Sequence, residues 1–134
     1  MSLLPNERYA VVTYRLSKAS QTLEEAEAVS KMSFWSLTAN RLYYAAYYAC
    51  VALLIHNQLE ANTHNGVIRM IGLHFVKHGI LESADSRLLG RLFNMRQTGD
   101  YDDFFDWTEH DVLPLIPEVR QFIDKVKRLI GQDT

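Results

Sequence analysis

The run NRLYYAAYYACVALLIHNQL, Asn40 to Leu59, contains neither Gly nor Pro. Drawn as a helix it is apolar nearly all round, which is the pattern of a helix that meets neighbours on every side. It therefore predicts the central helix of a bundle. Within it stand Asn40, Arg41 and the four tyrosines Tyr43, Tyr44, Tyr47 and Tyr48. A buried polar group left unpaired costs roughly 1–3 kcal/mol. Partners for these heads must come from other helices or from another chain. The most apolar part, Leu42 to Ile55, is shorter than the roughly 18 residues of a membrane span, so no membrane association is expected.

Outward from this run, apolar residues recur at helical spacing and no strand pattern appears. A first helix is predicted from near Pro5 or Asn6 to about Val29, with Tyr9, Val12, Leu16, Ala19 and Leu23 on its inner face. The central helix is expected from Ser33, as N-cap, to about Gln58. A third opens around Thr63 and stops at Gly79, turning Val67, Ile71 and either His74 or Phe75 inward. A fourth starts at Ser83 with Leu88, Leu89, Leu92, Phe93 and Met95 on its stripe, and a turn at Gly99 is expected to end it. The segment DYDDFFDW reads as an acidic, aromatic loop, with Phe104, Phe105 and Trp107 expected to plug the bundle end. The last helix covers at least Leu115 to Ile130, with Pro114 and Pro117 confined to its first turn. Short connections favour antiparallel neighbours, so the predicted fold is all-α, an up-and-down bundle of four to five helices in a single domain over residues 1–134.

With 134 residues and a net charge of −2, the chain can bury a substantial core but offers no broad basic surface for duplex DNA. One cysteine, Cys50, excludes a disulfide framework within the chain and reads as a small core residue. The start MSLLPNERYA lacks the features of a secretory signal, which makes the cytoplasm the expected location. His74 and His78 lie one turn apart but lack the accompanying Glu of a zinc helix. Neither a metal nor any other cofactor is expected.

The remaining polar residues form a candidate site. Asn40, Tyr44 and Tyr47 share one line of the central helix, and Arg41, Tyr44 and Tyr48 a neighbouring one. Arg96 sits at the edge of the fourth apolar stripe and needs an acceptor, for which Asp100 and Tyr101 are positioned just beyond. His64 falls at a predicted helix start, where unpaired backbone N–H groups disfavour a charged imidazole and favour a neutral one. By themselves these residues fit either a hydrogen-bonded network that sets helix register or a binding site.

Four stretches in order, N-R-x-Y-Y-A at Asn40 to Ala45, T-H-x-G-V at Thr63 to Val67, F-V-K-x-G at Phe75 to Gly79 and R-x-x-x-D-Y at Arg96 to Tyr101, resemble the small stand-alone HEPN proteins of prokaryotes. The resemblance covers roughly residues 8 to 130. It implies an antiparallel bundle that pairs as a homodimer, and a place in a toxin–antitoxin module whose antitoxin is a minimal nucleotidyltransferase. The role it implies is a binding or regulatory component with RNA or a nucleotide as ligand, through Asn40, Arg41, Tyr44 and His64. The alternative is a metal-independent ribonuclease toxin with Arg96, Asp100 and Tyr101 as catalytic groups. The active branch of the family carries R-x(4-6)-H, and here no histidine occurs among Gln97 to Asp102.

Overall fold

The computed structural model describes residues 3–101 and 106–131, with the backbone alone at 99–101. The fold is all-α. Helix α1 spans Pro5–Ser30, α2 Trp35–His56, α3 His64–Ile71, α4 Ser83–Tyr101, α5 Glu109–Val112 and α6 Leu115–Ile130, and a single π turn, Gly72–Val76, extends α3.

Helix α2 is central, packing against α1, α3, α4, α5 and α6. Its sequence permits this because Ala39, Ala45, Ala46, Ala49 and Ala52 are all fully buried and let neighbouring backbones approach, while Leu42, Leu53 and Leu54 fill the remaining space. Ala19 and Ala26 of α1 answer them across the α1–α2 hairpin. That hairpin is antiparallel: Arg15 lies over Tyr48 near one end and Glu25 pairs with Arg41 near the other. Helix α4 contributes Leu88, Leu89, Leu92 and Met95 to the core, and α6 contributes Val119, Phe122, Ile123 and Val126. Two ion pairs clamp α6 in place, Lys125 to the nearly buried Asp85 at 2.9 Å and Arg120 to Glu27 at 2.6 Å.

The helix limits have backbone causes, and those at Ser33 and Gly99 differ from the sequence expectation while those at Gln58 and Gly79 match it. Ser33 does not cap α2. It adopts a left-handed conformation (φ +62°) that ends α1, and the N–H of Phe34 reaches back to the carbonyl of Val29 at 3.2 Å. This 6→1 bond is the signature of a Schellman stop. Gln58 (φ +60°) closes α2 in the same way through Leu59 N–H to the Leu54 carbonyl. Gly79 (φ +74°) does so after the π turn through Ile80 N–H to Phe75. Gly99 does not end α4, which continues to Tyr101; a glycine inside a helix costs only about 1 kcal/mol. The π turn settles the third stripe, because its larger number of residues per turn keeps Phe75 in line with Val67 and Ile71, and Phe75 rather than His74 is buried. Tyr9 is 66% exposed, not inward, since it stands a turn beyond Val12 where the core ends.

Helix α5 interrupts what reads as a plain connection. Thr108 caps it through Asp111, donating its hydroxyl at 2.8 Å and its N–H at 3.2 Å to the same carboxylate oxygen. These bonds hold the Asp111 carboxyl below the usual range. Trp107 packs against the core as expected, its indole N–H donating to the Met95 carbonyl at 3.2 Å, while Phe104 and Phe105 lie outside the described residues. Among the described residues no helix is long and apolar enough to cross a membrane.

Candidate functional site

Three helices converge on the tyrosine face of α2. Antiparallel pairing brings Arg15 from α1, the α2–α3 connection brings His64, and α4, running antiparallel to α2, brings Arg96. Tyr43 is the buried floor, 2% exposed, with its ring edge-on to Tyr44 at 5.1 Å and tilted against Phe93 at 6.1 Å. Above it Tyr44, Tyr47, Tyr48, His64, Arg41 and Arg96 are each half-buried, which leaves an open aromatic and cationic cleft.

His64 is locked into this cleft. Its ring stacks on Tyr47 with centroids 4.3 Å apart and planes 13° from parallel, and its Nδ1 shares a 2.7 Å hydrogen bond with the Tyr43 hydroxyl. The backbone arranges it: His64 is the first residue of α3, directly after the N-cap Thr63, whose Oγ1 accepts from the N–H of Gly66 at 2.8 Å. A Cβ at Gly66 would stand 2.8 Å from that same oxygen, so T-H-x-G needs its glycine for the cap to close. Burial and then the nearby Arg96 charge lower the His64 pKa below its ordinary 6.5, and the imidazole is neutral near pH 7. The sequence expectation of a neutral ring has the right direction, but burial and Arg96 are the causes rather than the helix terminus.

The cations sit over the rings. The guanidinium carbon of Arg96 is 5.8 Å from the Tyr43 centroid and 5.7 Å from that of Tyr44, and that of Arg41 is 5.4 Å from Tyr44. Such contacts contribute about 0.5–2 kcal/mol, more as they lose water. Arg41 is aimed by Asn40, whose Oδ1 accepts from Nε at 3.1 Å and from Nη2 at 2.9 Å, and by Glu25 at 3.3 Å. Its acceptors among the described residues are thus Asn40 and Glu25. Burial raises the Tyr43 pKa, against the opposing Arg96 charge, and raises that of Tyr47, against Arg15. Both phenols stay protonated and supply no negative charge to the cations.

The structure therefore brings Asn40, Arg41, Tyr44, His64 and Arg96 together from three helices. The side chains of Asp100 and Tyr101 lie outside the described residues. Two members went unrecognised in the sequence. Tyr43 is one of four similar tyrosines until the α3 contact singles it out, and Arg15 lies on the polar side of α1, where no local pattern marks it. Chemically, the arrangement offers guanidinium donors for an oxyanion, flat rings for stacking and one neutral imidazole beside the cation.

Comparison with known proteins assigns the chain to a family. The chain is 30% identical over 125 residues to a UPF0332 protein of Thermotoga maritima, covering 93% of this chain and 95% of that one. It is 30% identical over 114 residues to a Methanocaldococcus jannaschii protein named "Putative toxin MJ0605", covering 85% of this chain and 84% of the relative. A second protein of that organism, named "Putative toxin MJ0142", is 27% identical over 115 residues, covering 86% and 78%. The family model described as HEPN domain matches residues 12–129, a span that contains Arg15, Asn40, Arg41, Tyr44, His64 and Arg96, and the chain belongs to the HEPN domain family.

Proposed function

We propose that the protein is the toxin-type HEPN component of a two-part module and that its cleft binds single-stranded RNA through a phosphate. The observation that carries this reading is the Arg96 guanidinium held over Tyr43 and Tyr44 beside the Tyr47–His64 stack. Arginine matches phosphate oxygens in pairs, and aromatic faces accept bases of any identity. The toxin names of two relatives support the module context. In this reading the partner is a nucleotidyltransferase antitoxin, the protein works in the cytoplasm, and two copies pair so that their polar walls meet. Met32, Phe34 and Leu37, exposed around the α1–α2 turn, supply apolar surface for such pairing.

One observation favours a second reading, metal-independent RNA cleavage. The chain has no histidine after Arg96 at the family spacing, yet His64 stands in the same cleft, neutral and bonded to Tyr43. If Nδ1 carries the proton and donates it to the Tyr43 oxygen, Nε2 is left as a base. It takes the ribose 2′-hydroxyl proton, the 2′-oxygen attacks phosphorus, and Arg96 stabilises the charge that develops there. The 5′-oxygen leaves with a proton, for which Tyr101 is the donor suggested by the sequence. The products are a 2′,3′-cyclic phosphate and a 5′-hydroxyl.

The test is binding and cleavage of single-stranded RNA in EDTA by wild type, Arg96→Ala and His64→Gln, with folding checked by circular dichroism. Binding lost in Arg96→Ala without cleavage by any form supports the first reading. Cleavage lost in both variants supports the second. Wild type that neither binds nor cuts RNA removes both.

A further inference from the structure

We propose that Arg15 and Tyr48 form a second phosphate subsite, so that the cleft takes two phosphates of one RNA strand, with stacked bases between them, rather than an isolated one. This rests on the RNA-binding reading above and extends it along the seam between α1 and α2.

The guanidinium carbon of Arg15 lies 5.9 Å from the Tyr48 ring, Tyr48 is 6.0 Å from Tyr44, and Tyr44 is 5.7 Å from the guanidinium carbon of Arg96. The two cations therefore end one continuous row of rings. They also flank the same stack, since the Tyr47 phenol senses Arg15 while His64, parallel to it, senses Arg96. Among the described residues Arg15 makes no ion pair, and its buried Nε has no hydrogen-bond acceptor. A half-buried cation with a buried donor left over is poorly explained as structure, because burying such a donor unpaired is unfavourable. An oxyanion at the part of the side chain left open to solvent would give this charge the counter-charge it lacks among the described residues. Arg41 is the instructive contrast, since Asn40 and Glu25 already occupy its donors. A strand crossing the row would lay its bases against Tyr44, Tyr47 and Tyr48 and its phosphates at the two ends, the combination that single-strand binders use.

The experiment is fluorescence anisotropy with labelled oligouridylates of increasing length over a salt series, using wild type, Arg15→Gln, Arg15→Lys and Arg96→Gln, each checked for folding. Each phosphate contact on a single strand contributes about −0.7 to the slope of log K against log salt. The expected result is a slope shallower by about 0.7 in Arg15→Gln, restored in Arg15→Lys, together with loss of the affinity gained when the oligomer grows past the shortest length bound at Arg96. A merely structural Arg15 would change thermal stability without moving the slope. Wild-type slope and length dependence in folded Arg15→Gln, with Arg96→Gln still impaired, would overturn the subsite and leave the RNA reading standing. No binding by wild type at any length would remove both.

Discussion

Tyr43→Phe isolates one hydrogen bond at the centre of the cleft. The ring is 2% exposed and touches Tyr44, Tyr47, His64 and Phe93, contacts that phenylalanine preserves. Only the hydroxyl shared with His64 Nδ1 at 2.7 Å is removed. A bond of this kind contributes about 0.5–1.5 kcal/mol net, and for a chain of this size that corresponds to a fall in Tm of about 2–5 °C. Truncation to alanine would instead remove the ring and cost about 3–5 kcal/mol. The assay is urea denaturation of wild type, Tyr43→Phe, His64→Gln and the double variant. The cycle isolates the pair because each single variant removes the same contact. A coupling of about 0.5–1.5 kcal/mol is expected. The same samples, labelled at histidine nitrogens, should show one dominant His64 tautomer in wild type and a mixture in Tyr43→Phe. A coupling indistinguishable from zero, with an unchanged tautomer, would refute the idea that Tyr43 positions His64.

The lowered His64 pKa makes a pH prediction. The unfolded chain protonates near 6.5 and the folded chain only at lower pH, so the folded form binds fewer protons between those values and loses stability as pH falls through that window. The stability advantage of wild type over His64→Gln should be full above pH 6.5 and shrink below it, read from denaturation midpoints at pH 8 and pH 5.5. Gly66→Ala should displace the Thr63 cap and lower stability by about 1 kcal/mol, with loosened His64 packing visible as a downfield return of its ring protons. Lys125→Met strips the partner from Asp85, whose side chain is only 10% exposed, and should cost about 1–3 kcal/mol. Arg120→Met, in a pair exposed at 45% and 38%, should cost less than about 1 kcal/mol; equal losses in the two would contradict the burial argument. Ser33→Gly should stabilise by about 0.5–1 kcal/mol, measured by calorimetry, because glycine accepts the left-handed stop without strain.

The sequence by itself determined the helices that bury apolar stripes and the centrality of α2, because periodicity and the scarcity of Gly and Pro are local properties. It also held the α5 start in the pattern Thr108-Glu-His-Asp111, a capping box that the neighbouring acidic residues obscure. The end of α2 near Gln58 was legible, whereas the role of Ser33 was not: a serine before an apolar run reads as an N-cap, and only in the folded hairpin does it take the left-handed stop of α1. For the site, Asn40, Arg41 and Tyr44 share a helix face that spacing reveals, whereas the meeting of His64 with Tyr43, of Arg96 with Tyr44 and of Arg15 with Tyr48 joins separate helices. Only tertiary packing decided those contacts, because which residues of antiparallel helices face each other depends on register and crossing geometry, and a single helix's sequence does not carry them.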